Sequence, residues 1–248
     1  MKLLLINPNT TAAMTEKVLS VARQVVAPGT ELVGATGRFG AAYVATRSAY
    51  AIAAHATLDA WAEQSNQNYD AVLLACFGDP GLDGLRELCD VPVVGMADAS
   101  IQLAASLGKR FGIVTGGERW GPMLHEFVAS RGLSDRLASV QTVAPTGGDI
   151  ARDPEAALAL LAGACHAAVD EGADTVILGG AGLAGLGAVI RDRVPVPVID
   201  STEASVRIAE AVALSKLGVP TTGTFAPPPQ VPSLGLSPAL ARRISGLA

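Results

Sequence analysis

The chain repeats itself, and that constrains its fold more than any other feature. Asp70-Ala-Val-Leu-Leu-Ala-Cys76 aligns with Asp174-Thr-Val-Ile-Leu-Gly-Gly180, and Val91-Pro-Val-Val aligns with Val196-Pro-Val-Ile. Upstream, Lys2-Leu-Leu-Leu-Ile-Asn7 matches Arg110-Phe-Gly-Ile-Val-Thr115, so the register holds through most of each half. The repeat length is roughly a hundred residues, that of a small domain rather than a solenoid unit. Short apolar runs alternate with alanine-rich helical stretches: Leu3–Asn7, Glu31–Ala35, Ala71–Ala75 and Val91–Met96, then Phe111–Thr115, Val140–Ala144, Thr175–Gly179 and Val196–Asp200. Such alternation predicts parallel sheets with helical crossovers. Met14, Val18, Val21 and Val25 in the first half, and Leu158, Leu161, Cys165 and Val169 in the second, recur at helical spacing.

The expected fold is therefore α/β, with two pseudo-symmetric lobes, each a roughly four-stranded parallel sheet flanked by helices, and an active-site cleft between them. The first lobe is assigned to 1–98, braced by a helix over 202–218, and the second to 99–201. From 219 to 248 the prolines multiply (Pro220, Pro227, Pro228, Pro229, Pro232, Pro238), which predicts an extended tail closing in a short helix over Pro238–Ser245.

Composition removes several classes of function. Half the residues are hydrophobic, enough for a sizeable core, yet apolar stretches such as Ala71–Phe77 are too short to cross a bilayer. The formal charge of -5 carries no basic stripe for phosphate backbones, so neither nucleic acid nor membrane is an expected partner. Met1–Asn9 lacks the features of a signal peptide and reads as a strand. Cys76, Cys89 and Cys165 form no C-x-x-C or Cys/His cluster, which suggests neither zinc nor disulfides and fits the reducing cytoplasm. The P-loop, G-x-S-x-G and H-E-x-x-H motifs are absent.

Ligands of open parallel sheets bind beyond the carboxyl ends of the strands, and Cys76 sits at such an end. Asp79 as N-cap and Pro80 as first helical residue would start a helix close to the sulfur and lower its pKa. Cys165 and Cys89 read as core. Asp200-Ser-Thr-Glu203 has the spacing of a capping box, which favours a structural over an acid role for Glu203. Asn9-Thr10, Phe77-Gly78, Thr115-Gly116 and Gly180-Ala181 are the small or polar loops whose N–H groups could stabilise a developing oxyanion, although Asn9 and Thr10 equally suit helix capping. Tyr43 and Trp120 are candidate pocket walls, and His55, His125 and His166 read as helix-surface residues. A rival signal is Gly180-Ala-Gly182-Leu-Ala-Gly185 followed by Asp200, the outline of a dinucleotide fingerprint. Its place in the repeat, opposite Cys76-Phe-Gly-Asp-Pro-Gly81, argues instead for one copy of a duplicated loop.

Leu5-Ile-Asn-Pro-Asn-Thr10, Cys76-Phe-Gly-Asp-Pro-Gly81, Leu178-Gly-Gly-Ala-Gly182 and Pro197-Val-Ile-Asp200, in this order, resemble the hydantoin and allantoin racemase branch of the Asp/Glu/hydantoin racemase superfamily. The resemblance runs from Met1 to about Gly218. It implies cofactor-independent proton transfer next to a carbonyl, with one thiol on each face of the carbon. It also implies a small-molecule substrate, a homo-oligomer, and substrate contacts at Asn9, Thr10, Phe77, Gly78, Thr115, Gly116 and Ala181. Phe77-Gly78, in place of the polar pair of the amino-acid racemases, favours a ring such as a 5-substituted hydantoin. The position of the second catalytic cysteine falls on Gly180, as the repeat alignment also has it. Three functions stay open: a racemase with altered or reduced activity, a one-cysteine decarboxylase or cis-trans isomerase of the same superfamily, and a non-catalytic small-molecule binder.

Overall fold

A computed structural model of the chain describes residues 1–143 and 153–245. It divides into two compact units, Met1–Gly95 with Val206–Ala248, and Met96–Ser205. The first unit runs β1 (Lys2–Asn7), α1 (Ala12–Val25), β2 (Glu31–Thr36), α2 (Arg47–Gln64), β3 (Ala71–Leu74), α3 (Leu82–Leu88) and β4 (Val93–Gly95). Next come α4 (Met96–Leu107), β5 (Phe111–Thr115), α5 (Trp120–Ser130), β6 (Leu137–Thr142), α6 (Pro154–Asp170), β7 (Thr175–Gly179), α7 (Leu186–Ile190) and β8 (Val198–Asp200). Two further helices, α8 (Ser201–Ser215) and α9 (Pro238–Ser245), follow, and the unit boundary falls inside α8. Ala144, expected to end a strand, lies outside the described residues.

Both sheets are four-stranded, with equivalent orders β2-β1-β3-β4 and β6-β5-β7-β8. All pairings are parallel: Ile6 faces Leu74 across β1 and β3, and Val114 faces Leu178 across β5 and β7. The strands read as nearly unbroken apolar runs because both faces are covered, the usual state of a parallel sheet. Leu4, Ile6, Val72 and Leu74 pack in one cluster with Trp61 and Leu85, while Leu3, Leu5 and Leu73, at alternate positions, are equally buried. In the second unit Val114, Val176 and Leu178 pack with Leu161, Cys165 and Ala168 of α6. Asp153 caps α6 by accepting from Ala156 N at 3.0 Å, with Pro154 opening the helix. The buried stripe of α1 is Thr15, Val18, Leu19 and Ala22, so of the four apolar residues expected to mark that face only Val18 is fully buried. No helix among the described residues is long and apolar enough to cross a membrane.

The duplication extends to polar fastenings. Asp70 Oδ2 accepts from Lys2 N at 2.6 Å, and its repeat mate Asp174 accepts from Lys109 N and Arg110 N, both at 2.8 Å. Each carboxylate ties the start of a central strand to the strand beside it.

Beyond Gly218 the chain has no helix or strand until Pro238. The closing helix is packed: Ala239 and Leu240 join the core of the first unit, and the Arg243 guanidinium lies 4.9 Å from the Trp61 ring centroid. Arg243 also donates to Ser65 Oγ at 3.0 Å and Ser65 O at 2.9 Å. An amphipathic helix with an apolar patch to cover ends a chain differently from a solvated proline tail. Leu240→Ala should therefore cost about 2–5 kcal/mol in urea unfolding, as for a core leucine; a change under about 0.5 kcal/mol would mark α9 as dispensable.

Candidate active site

Each sheet projects a turn from the end of its third strand in sequence order, and the two turns are built alike. Asp79 N donates to Cys76 O at 2.9 Å, and Leu183 N donates to Gly180 O at 2.9 Å. Each turn then reaches a left-handed glycine, Gly81 or Gly185, both with φ 82, and a short helix starts at the next residue, Leu82 or Leu186. A positive φ at the N-cap is cheap only for glycine, which explains why both copies have one there. Cys76 and Gly180 thus occupy the same place in the repeated structure as well as in the repeated sequence.

The helix after Cys76 starts later than Asp79-Pro80 suggests. Asp79 is no N-cap: it takes φ 53, and α3 begins at Leu82 with no side-chain cap. The sulfur therefore lacks the expected helix terminus, and its environment works in the opposite direction. Burial, reinforced by the nearby Asp79 carboxylate, pushes the Cys76 thiol up to about 12. The lowered pKa expected from the sequence is thus corrected; at neutral pH Cys76 rests as a half-buried thiol.

Backbone donors follow Cys76 in the chain. Phe77 and Gly78 are buried, and no described residue accepts from their N–H groups, an arrangement that calls for a ligand or water. The turn is held from behind by α2: Tyr50 OH donates to Gly78 O at 2.8 Å, and Thr57 Oγ1 donates to Pro80 O at 2.8 Å. These two residues were missed in the sequence, though they lie two turns apart on one helix face. Asn7, also missed, donates from Nδ2 to Asn9 Oδ1 at 2.9 Å, and Thr11 N donates to the same oxygen at 2.9 Å. Asn9 is therefore oriented with Nδ2 outward, without an acceptor among the described residues. The N–H groups of Asn9 and Thr10 are already taken, by Asn7 Oδ1 at 3.3 Å and Ala41 O at 3.1 Å, so only the side chains of this pair remain available.

In the second unit, Thr115 Oγ1 donates to Gly179 O at 2.7 Å, while the N–H groups of Gly116 and Ala181 have no acceptor among the described residues. Gly180 N donates to Ser201 Oγ at 3.2 Å. Gly180 adopts φ 126 and ψ 144, a conformation essentially confined to glycine, although among the described residues a Cβ there would meet nothing closer than Thr115 Oγ1 at 3.8 Å. The obstacle to a side chain at Gly180 is backbone torsion, not space.

The dinucleotide outline does not survive the geometry. Asp200 Oδ2 accepts from Gly185 N at 2.7 Å and Gly187 N at 3.4 Å, and Oδ1 accepts from Thr202 N at 2.9 Å and Glu203 N at 3.4 Å. A carboxylate so occupied and 2% exposed has no capacity left for a ribose. The same bonds make Asp200 the N-cap of α8, while the Glu203 carboxylate lies 3.8 Å from Arg191.

The other candidates fall into structural roles. Cys165 and Cys89 are buried in the two cores, which raises both thiols, Cys165 to about 12. His55 packs edge-on against Phe39, His125 Nδ1 lies 2.9 Å from Gly121 O, and His166 Nε2 lies 2.8 Å from Arg193 O. Trp120 is buried at the start of α5, and Tyr43 is 53% exposed. Among the described residues no group of three or more His, Cys, Asp or Glu could hold a metal ion.

Residues 3–209 match the model of the Asp/Glu/Hydantoin racemase family. A hydantoin racemase of Paenarthrobacter aurescens is 40% identical over 216 residues, 86% of this chain and 91% of that protein. A second, from a Pseudomonas species, is 35% identical over 213 residues, 86% of each chain. The crystal structure of allantoin racemase from Pseudomonas fluorescens superposes with a TM-score of 0.88 at 36% identity, covering 95% of this chain and 100% of that one. With a duplicated parallel-sheet fold, a cysteine-bearing turn and these relatives along most of its length, the chain belongs to the Asp/Glu/hydantoin racemase family.

Proposed function

We propose that Cys76 moves a proton to and from a carbon next to a carbonyl, without a cofactor, on a 5-substituted hydantoin or a related ring compound. The observation that carries this reading is a thiol followed in the chain by Phe77 and Gly78, whose N–H groups have no acceptor among the described residues, in a chain similar to hydantoin racemases over most of its length. For proton abstraction the thiol first gives up its proton to solvent. The sulfur then takes the ring C–H proton, and the electron pair left on carbon spreads onto the carbonyl oxygen as an enolate. Donors aimed at that oxygen stabilise it as charge develops. Phe77 N and Gly78 N of the first unit are the candidates, with Asn9 and Thr10 as side-chain contacts. Return of the proton from sulfur to carbon regenerates the ring and the thiolate.

A racemase with two thiols uses one on each face of the carbon. Here the second place is Gly180, so we infer that Cys76 works alone and that inversion is slower than exchange. A second reading is favoured by the protonation state of the sulfur: a thiol that keeps its proton at neutral pH suits a donor to a carbanion made by another route, as in a one-thiol decarboxylase.

Enantiopure 5-substituted hydantoins incubated in heavy water distinguish these readings. Deuterium should enter one enantiomer faster than optical rotation decays, and Cys76→Ser should slow entry by about 10²-fold or more. Racemisation in step with exchange would show that another group replaces the second thiol; no exchange with any hydantoin would leave the decarboxylase or a non-catalytic binder, which carbon dioxide release from malonate analogues separates. Gly180→Ala and Gly180→Cys should each cost about 1–3 kcal/mol in unfolding experiments because both force a side chain onto φ 126. Equal stability to the parent would mean that the turn accommodates a cysteine freely.

A further inference from the structure

We propose that Asn7 is a positioning residue: it locks the Asn9 carboxamide so that Nδ2, a hydrogen-bond donor, faces outward, and the first unit meets a carbonyl oxygen of its ligand there. The proposal deepens the hydantoin reading and rests on it for the ligand, whereas the locking of Asn9 is independent of it. Asn7 ends β1 and is 0% exposed, and Asn9 is 6% exposed. The Asn9 loop leaves the sheet next to the Cys76 turn, because β1 and β3 are neighbours and Ala75 N donates to Ile6 O at 2.7 Å.

The orientation follows from backbone groups that can only donate. Asn9 N–H donates to the Asn7 side chain at 3.3 Å, so the atom it meets is Oδ1, and the amino group of Asn7 lies on the other side. That amino group reaches Thr15 Oγ1 at 3.0 Å, Thr11 O at 3.3 Å and the Asn9 side chain at 2.9 Å. Thr11 N–H approaches the same Asn9 atom at 2.9 Å. Two donors meeting one atom make it Oδ1, and Asn9 Nδ2 points away, without an acceptor among the described residues. Pro8 has no N–H, and those of Asn9, Thr10 and Thr11 are taken, so Nδ2 of Asn9 is the amide donor this loop has left.

Shaping the loop does not account for a carboxamide at Asn9. Its structural duty is to accept from Asn7 and Thr11, which a carboxylate would do as well or better. What the carboxamide adds is the outward donor, held on a residue more than nine-tenths buried, where an unmet donor is costly. Asn7 is anchored in turn: Thr15 of α1, which accepts from it, has its hydroxyl 2.7 Å from Thr36 Oγ1 at the end of β2. The amide of Asn9 thus rests on β1, α1 and β2 together. A donor at this edge, like Phe77 N and Gly78 N, suits an oxygen that gains charge as a proton leaves the adjacent carbon.

The full chain without ligand tests the locking, through the side-chain NH2 signals of nitrogen-15-labelled protein, assigned by their loss in Asn7→Asp and Asn9→Asp. In the parent, the Asn9 NH2 protons should exchange with water about tenfold or more faster than those of Asn7. Equal protection of the two overturns the proposal, whether or not any variant folds. In Asn7→Asp, which sets an acceptor where Asn9 Oδ1 needs a donor, the Asn9 signals should shift and their exchange slow as the carboxamide turns. Unmoved Asn9 signals in the folded variant overturn the proposal as well. Asn9→Asp keeps both accepted bonds and removes the donor. It should keep the parent's urea midpoint and lower kcat/KM for deuterium entry into a 5-substituted hydantoin by about tenfold or more, the worth of one hydrogen bond. Undiminished kcat/KM in Asn9→Asp overturns the donor role. If the parent exchanges no hydantoin, the function reading fails alone, because the ligand-free amide signals still decide whether Asn7 sets Asn9.

Discussion

One backbone hydrogen bond, made twice, organises the chemistry of this chain: the N–H of Asp79 on the carbonyl of Cys76, and the N–H of Leu183 on the carbonyl of Gly180. Each closes a turn at the carboxyl end of a strand buried on both faces. Because the sheets are parallel, the strands of each unit end on one edge, where the Asn9 and Cys76 loops emerge from the first sheet and, separately, the Thr115 and Gly180 loops from the second. Among the described residues Phe77 N, Gly78 N and Ala181 N meet no acceptor, whereas Asn9 N, Thr10 N and Gly180 N are taken. The apolar strands provide rigidity and the turns provide unsatisfied groups, and the site depends on keeping these two properties apart.

Much of this was legible in the sequence because duplication writes the same instructions twice. The strand runs of β3 and β7 are nearly interchangeable, as are those of β4 and β8, so the sheets, their parallel sense and the pairing of Cys76 with Gly180 followed from self-comparison. Helix α6 was readable from the helical spacing of Leu158, Leu161, Cys165 and Val169, a local pattern. Features that depend on distant packing were not. Asp79-Pro80 has the composition of a helix start, but the chain needs two further turn residues before α3, and Asp79 takes a positive φ. The sulfur consequently meets desolvation and a negative charge, where the residue pattern promised a helix terminus. The docking of α9 was similarly hidden, since prolines from 220 to 238 say nothing about the apolar patch around Trp61 that Leu240 covers.

Gly180 differs from its repeat mate Cys76 in backbone as well as in side chain. Read as a missing side chain, it suggests a cysteine site awaiting its sulfur. Its torsion angles and its bond to Ser201 Oγ describe a turn whose shape a cysteine would strain. The two turns therefore differ in chemistry, although the halves are equivalent in fold. One turn carries a thiol, and the other carries glycine in its place.

The account turns on the state of a single sulfur, and the most direct check is to titrate it. The ultraviolet absorbance of thiolate, measured against pH in the folded protein and in Cys76→Ser, isolates the ionisation of Cys76 by difference. The structure predicts a difference signal that stays flat through the ordinary thiol range near 8.5 and rises only as pH approaches about 12. A thiolate forming at or below about 8.5 would contradict it, and would restore the activated nucleophile that the sequence alone suggested.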